Sequence, residues 1–573
     1  MKTVRIVLFL LLIVSSVSAV CPNATRSMLV PAVVGEEGWR MLLLHVETRE
    51  GVGNVYSSIE PRIGVSTQSS EDTAAYVAFG RAGVNRGECD VLFRVIDRQG
   101  STFVDGPSAG AAMTIMLIAA LENRTIRDDM AVTGTIETDG SVGPVGGLIE
   151  KASAVTEKGM DVFVTPTQSA YERMLLSTMN SNMSIVGVDE IGKLEEIAFS
   201  KSGSPVETES EIPFKPLPEG LKENPLHDEE NLLFFKQMSE GIIGQLEEPV
   251  NGMDAGNEGL IAYKEYFEKE VGKQKELVSK GYLYTAANNA FLLSIDASLI
   301  GMRSINDSDI EEEKNAVGKC IEGLPKINKT DGNFEWIIGS DLRKEWAEKK
   351  LGESGKYGSL EEKYAGMREL LFAKGWCDIS GMLSREGSGE GINESVLKDI
   401  AEERINEAEE FMNGSGEPLA DEEWHLEAAE KAFTDGNYGA SIYDATYALS
   451  MGEAEINFAT RENTSITEEC GNLSKKNMTS FWANLYQGQG RFLYYSGDSL
   501  EGGYKILRFA DALDEVTKRM RDGIGKEEAG AVKETEGKTA GETGKEDGKA
   551  PVVIGVLFRC IILASLFLLA KRR

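Results

Sequence analysis

Histidine is scarce: the 573 residues hold three, His45, His227 and His425, and none stands in an HExxH or comparable metal-binding pattern. A Ser-His-Asp triad would have to use His45, since the other two lie in the helical half of the chain, and zinc hydrolysis has less support still. Cysteine is sparse too. With Cys560 set aside in an apolar run near the C-terminus, Cys21, Cys89, Cys320, Cys377 and Cys470 remain, an odd set without metal spacing. One or two disulfides fit it, and the pairing stays open. Positive charge is the third shortage. Sixty Lys+Arg against 93 Asp+Glu give a net charge of −33, which argues against affinity for phosphate backbones, so no nucleic-acid partner is expected. No GxxxxGK[ST] loop occurs either.

What is present begins with an export pattern. Lys2 and Arg5 precede an apolar run at 6–14, and Val17 and Ala19 suit the −3 and −1 cleavage positions, so residues 1–20 read as a signal peptide. Residues 551–570 are almost all apolar and are followed by Lys571, Arg572 and Arg573, the pattern of a transmembrane helix with a cytoplasmic tail at 571–573. Arg559 interrupts the run toward its outer half, where a long side chain can reach the interface. N-x-S/T sequons recur from Asn23 to Asn477, in keeping with a cell membrane protein, single-pass, whose body faces outside the cytoplasm.

Between residues 21 and 198, β-rich runs ("MLLLHVET", "DVLFRVID", "MAVTGTI", "DVFVTP") alternate with helical ones ("EDTAAYVAFGRA", "SAGAAMTIMLIAALEN", "GLIEKASAVTEKG"), which predicts an α+β domain. Residues 199–226 are rich in proline and charge and suit an exposed linker. From 227 to 521 alanines and aromatics recur at helical spacing, with turns at Gly281, Gly436 and Gly497. Helical hairpins loosely similar to tetratricopeptide repeats, without a constant period, are expected there. Residues 522–550 have almost no apolar side chains and read as a disordered stalk.

Two stretches carry chemistry. In "DGPSAGAAMTIMLIAAL", Gly106 and Pro107 make a turn and Ser108 falls at the head of an apolar helix, where unpaired amides and the helix dipole would stabilise an oxyanion. A serine there is also a common helix cap. In "VTGTIETDGSVGPVGGLIEKASAV", the pair Gly146-Gly147 allows close backbone approach, and a helix then carries Lys151 past Leu148 and Ile149. Apolar surroundings disfavour a charged amine, so such a lysine can act as a base near neutral pH.

Together the stretches resemble the proteolytic domain of the Lon protease family, through "DGPSAG" with Ser108, "VTGTI" with Thr133 and "GPVGGLIEK" with Lys151, in that order. The resemblance covers roughly residues 27–195 and implies a serine-lysine dyad that hydrolyses peptide bonds. Ser108 is the implied nucleophile and Lys151 the general base. Thr133 would orient the lysine, Asp105 would position the site or pair with Lys151, and amides around Ser108 and Gly106 would form the oxyanion hole. No metal or other cofactor is implied, and polypeptides are the implied substrates. Family members assemble rings, so a homo-oligomer is implied as well.

Departures from the family pattern matter. Without a P-loop no nucleotide is expected to bind, ATP-driven unfolding is not expected, and substrates would be unfolded or exposed chains. In "GVSTQSSEDTAAYVA" Gln68 stands where relatives carry an acidic residue before a serine, so no role passes to it. The acidic composition and the sequons lean toward an archaeal cell surface. The alternative is a catalytically inactive Lon-like scaffold whose helical region recognises envelope partners.

Overall fold

The computed structural model describes residues 21–534 except 34–38, 59–60, 98–102, 105, 180–181, 208–211, 226–228, 255, 257, 303, 356, 358–359, 416–418 and 498. The chain divides into two compact units, up to Pro213 and from Phe214 onward. The expected signal peptide (1–20), transmembrane helix (551–570) and tail (571–573) lie outside the described residues. Among the described residues no helix is long and apolar enough to cross a membrane.

The first unit is built on two sheets. β1 (Ala24–Val33), β2 (Trp39–Glu50), β3 (Val55–Ser57) and β5 (Cys89–Ile96) form one, in the order β1-β2-β5-β3, antiparallel except for the parallel β3–β5 pair. β2 shows why: Leu42, Leu44, Val46 and Thr48 are buried at every second position. β7 (Met130–Val132), β10 (Val162–Pro166) and β11 (Ser184–Val188) make a parallel sheet in the order β11-β10-β7. Its crossovers contain α3 (Leu148–Lys158) and α4 (Ala170–Thr178). Two small ladders complete the strands, β4 (Arg62–Ile63) with β6 (Phe103–Val104) and β8 (Thr135–Ile136) with β9 (Val142–Gly143).

α1 (Val65–Ala82) and α2 (Gly110–Leu121) pack on one another, and α5 (Ile191–Ala198) closes the unit. All of α2 is buried, as a helix apolar but for Thr114 must be, and each large apolar side chain it removes from water contributes about 1.5–3 kcal/mol. Its core joins Leu44, Val46 and Phe93 of the larger sheet. "MAVTGTI" is two strands and not the expected one. The break falls at Gly134, whose φ of 152° turns the chain and whose amide leaves the ladder for the carbonyl of Ser108.

The second unit is helical, in helix pairs such as Phe334–Glu353 with Leu360–Leu383 and Ala420–Thr434 with Tyr438–Thr460. The turns at Gly281, Gly436 and Gly497 are present, each glycine in the left-handed region. Phe481–Ser496 packs on Leu500–Glu534, which runs on past Arg521 into the segment expected to be stalk; 535–550 lie outside the described residues. The far part of the expected linker is docked, not exposed. Leu221 is buried, Asn224 bonds the Lys280 and Gly281 carbonyls, and Arg491 donates to Asn224 at 3.0 Å. Cysteine pairing resolves into Cys21–Cys89 and Cys320–Cys377, with Cys470 buried and free.

Candidate active site

Three backbone carbonyls in a row define the Ser108 loop. Gly106 has φ 124°, a region that favours glycine, and leads into a 3-10 turn over Pro107–Ala109 that ends at α2. The hydroxyl of Thr67 donates to the Gly106 carbonyl at 3.0 Å and that of Ser70 to the Pro107 carbonyl at 3.3 Å. The Ser108 carbonyl accepts twice, from the Thr133 hydroxyl at 3.1 Å and the Gly134 amide at 2.9 Å. α1 and the end of β7 therefore clamp the loop from two elements.

The clamp is close-fitting. A Cβ on Gly110 would come within 2.6 Å of the Ser70 hydroxyl and 3.0 Å of the Ile136 amide nitrogen. Ser108 itself is half-buried and is not a cap. Gly106 caps the turn, Ala109 caps α2, and neither end carries a side-chain capping bond. Its amide and that of Ala109 sit at the first positions of a helical segment, which have no intrahelical acceptor.

Lys151 belongs to the opposite helix. α3 starts at Gly147, whose φ of 63° is left-handed, and presents Leu148, Lys151, Ala152 and Val155 as one buried stripe. The apolar members of that stripe pack with Ala131 of β7 and Phe163 of β10. Side chains alternate along β7: Met130 and Val132 enter the core under α2, while Ala131 faces α3. Thr133 continues the ladder through its amide bond to the Val164 carbonyl and so follows Ala131 onto the α3 face.

Lys151 is 4% exposed, and burial pushes its ammonium down from 10.5 to about 8, with Glu150 pulling weakly the other way. Among the described residues no carboxylate lies within ion-pair distance of it. Thr133 is hydrogen-bonded to the Ser108 backbone and stands on the sheet face against which the Lys151 stripe packs. Its hydroxyl donates to the Ser108 loop, whereas the resemblance gave it to the lysine. Asp105 lies outside the described residues.

Two expectations change. Nothing lies within 4 Å of where a Cβ of Gly146 would sit, so the glycine pair serves the left-handed turn at Gly147 and not close approach at Gly146. The segment around Gln68 holds site residues the sequence reading missed, Thr67 and Ser70, while Gln68 itself donates to the Ile63 carbonyl at 2.9 Å. Next to Ser70, the buried Glu71 carboxyl accepts from Ser57 at 3.1 Å and is pushed up by burial to about 7. The one local signal was the cluster of hydroxyls in the first turns of α1. His45 is spoken for elsewhere, its Nδ1 being 2.9 Å from the hydroxyl of Ser27 across the β1–β2 pair.

Residues 88–201 match the family model of the Lon protease (S16) C-terminal proteolytic domain. The first unit carries a Lon proteolytic domain. Among curated proteins the chain is similar to the Lon protease of Phenylobacterium zucineum, 32% identical over 171 residues, which are 28% of this chain and 22% of that protein. It is similar also to the Lon protease of Haemophilus influenzae, 32% identical over 170 residues (28% and 21%), and to that of Brucella abortus, 34% identical over 117 residues (20% and 14%). The matched stretches span about a fifth or less of those relatives' length. The model's match to the Lon domain starts beside β5, so Thr67 and Ser70 precede it.

Proposed function

We propose that the chain is a serine endopeptidase that uses Ser108 and Lys151 as its dyad, works without ATP, and acts on unfolded or exposed polypeptide outside the cytoplasm. The observation that carries this reading is a buried lysine with a lowered pKa and no carboxylate partner among the described residues. It lies on the stripe packed against the sheet whose Thr133 holds the Ser108 carbonyl. Neutral Lys151 takes the Ser108 hydroxyl proton as the oxygen attacks the scissile carbonyl carbon. The amides at the head of α2 receive the oxyanion. Collapse returns the proton to the leaving amine, and water activated by Lys151 then releases the acyl group. The lone pairs of the Thr133 hydroxyl are available to orient the amine.

Two disulfides suit an oxidising compartment and, with the sequons and the apolar run at 551–570, support a single-pass protein of the cell membrane whose catalytic unit faces outward. Lacking a GxxxxGK[ST] loop, the chain would meet substrates already extended. The test is the whole protein with a reduced, carboxymethylated polypeptide and no nucleotide. Cleavage is expected, unchanged by added ATP and magnesium and lost in Ser108→Ala and Lys151→Ala. Cleavage that requires ATP, or that survives Lys151→Ala undiminished, contradicts the reading, and no cleavage under any condition favours the scaffold alternative.

A further inference from the structure

The helical unit contains a cleft, open to solvent on one side, walled largely by aromatic rings. Trp346, Trp376, Trp424 and Trp482 line it, four of the chain's six tryptophans. Its polar groups divide into two sets. At one, Asp444 accepts from the Trp346 indole at 3.0 Å and lies 2.8 Å from His425 Nδ1, so that carboxylate is satisfied within the protein.

The other set has no carboxylate. Arg343 is 6% exposed, with its guanidinium carbon 4.6 Å from the Trp482 ring centre and 5.1 Å from that of Trp346. Of its five donors one makes a long bond, 3.3 Å, to the Gly339 carbonyl of its own helix, and another meets the hydroxyl of Tyr284, which also lines the cleft. Among the described residues no carboxylate pairs with it, in a chain with a large excess of acid. The carboxamides of Asn288 and Gln489 also line the cleft and make no hydrogen bond among the described residues.

A buried guanidinium held by ring faces and facing a cavity is complementary to a carboxylate, which it meets with two parallel hydrogen bonds. The tryptophan walls suit an aromatic or large apolar body attached to it. We propose that this cleft binds a carboxylate borne on an aromatic or large apolar group, Arg343 taking the carboxylate, the indole rings the body, and Asn288 and Gln489 the adjoining polar atoms. Such a group is supplied by the C-terminal residue of a peptide or by a free aryl acid.

The test uses the whole protein carrying Ser108→Ala, so that hydrolysis does not consume the probe and the result stands apart from the peptidase reading. Three probes are titrated by calorimetry and by tryptophan fluorescence: N-acetyl-Gly-Gly-Phe as the free acid, the same peptide as its amide, and 3-phenylpropionate. The free acid is expected to saturate and to bind about tenfold or more tighter than the amide. Arg343→Met is expected to bring the acid down to the level of the amide. A peptide at least tenfold tighter than 3-phenylpropionate identifies a peptide C-terminus as the ligand, and near-equal affinities identify the aryl acid. Equal binding of acid and amide by the Ser108→Ala protein, or absence of saturable acid binding, overturns the proposal without appeal to any Arg343 variant.

Discussion

Lys151 fills a place on α3 that an apolar residue would fill at less cost. Its folded pKa of about 8 lies below the ordinary 10.5, so between those values the unfolded chain holds more protons than the folded one. Stability therefore rises with pH through that window and is lost as pH falls toward 8. Lys151→Met is expected to stabilise the protein at pH 7 by on the order of 3 kcal/mol, a gain that shrinks as pH approaches 10.5, while removing activity. Urea unfolding at pH 7 and pH 10 measures it. A gain equal at both pH values would mean that the amine is not held in its low-pKa environment.

At the scale of elements, the Ser108 loop depends on α1 as much as on the helix it heads. Thr67→Val keeps the shape and removes the bond to the Gly106 carbonyl, worth about 0.5–1.5 kcal/mol. The expected result is kcat lower by about three- to tenfold, with KM within about twofold and little change in Tm; an unchanged kcat would make Thr67 a packing residue only. The dyad candidates were legible because each sits in a local pattern, a Gly-Pro turn before an apolar helix and a lysine on an apolar stripe. Thr67 and Ser70 were not, since their bonds reach 39 and 37 residues along the chain.

Elements followed the same rule. β2, β5 and β10 carry runs of large apolar residues and were read correctly. β1 carries Pro31 and was missed; it lies at the sheet edge, where proline is tolerated. The helix Phe334–Glu353 lies within the stretch expected to be helical, yet it has no clean apolar stripe, because it buries Glu335, Arg343, Glu345 and Lys350. Ion pairs such as Lys350–Glu369 at 2.5 Å replace the apolar periodicity a sequence reader looks for.

For the whole molecule, each unit has its own disulfide, and each bridge closes a long stretch of chain. Cys320–Cys377 ties Asp307–Glu322 to Leu360–Leu383 across a separation of 57 residues, for which chain entropy gives roughly 4 kcal/mol. Five of the six tryptophans, all but Trp39, belong to the helical unit, so indole fluorescence follows its unfolding. A Cys320→Ser, Cys377→Ser double variant is expected to lower the urea midpoint of that signal and leave cleavage of unfolded polypeptide in dilute buffer intact. Loss of cleavage with the helical unit still folded would contradict the assignment of the chemistry to the first unit alone.

The central claim, that Lys151 activates the Ser108 hydroxyl, is tested most directly by phosphonylation of that hydroxyl. A serine-directed fluorophosphonate is reacted with the whole protein from pH 6 to pH 10, and the modified residue is located by mass spectrometry. The account predicts modification at Ser108, with a rate that rises through a midpoint near pH 8 as the amine loses its proton and that collapses in Lys151→Met. Modification at Ser108 with a rate indifferent to both pH and Lys151→Met would contradict it.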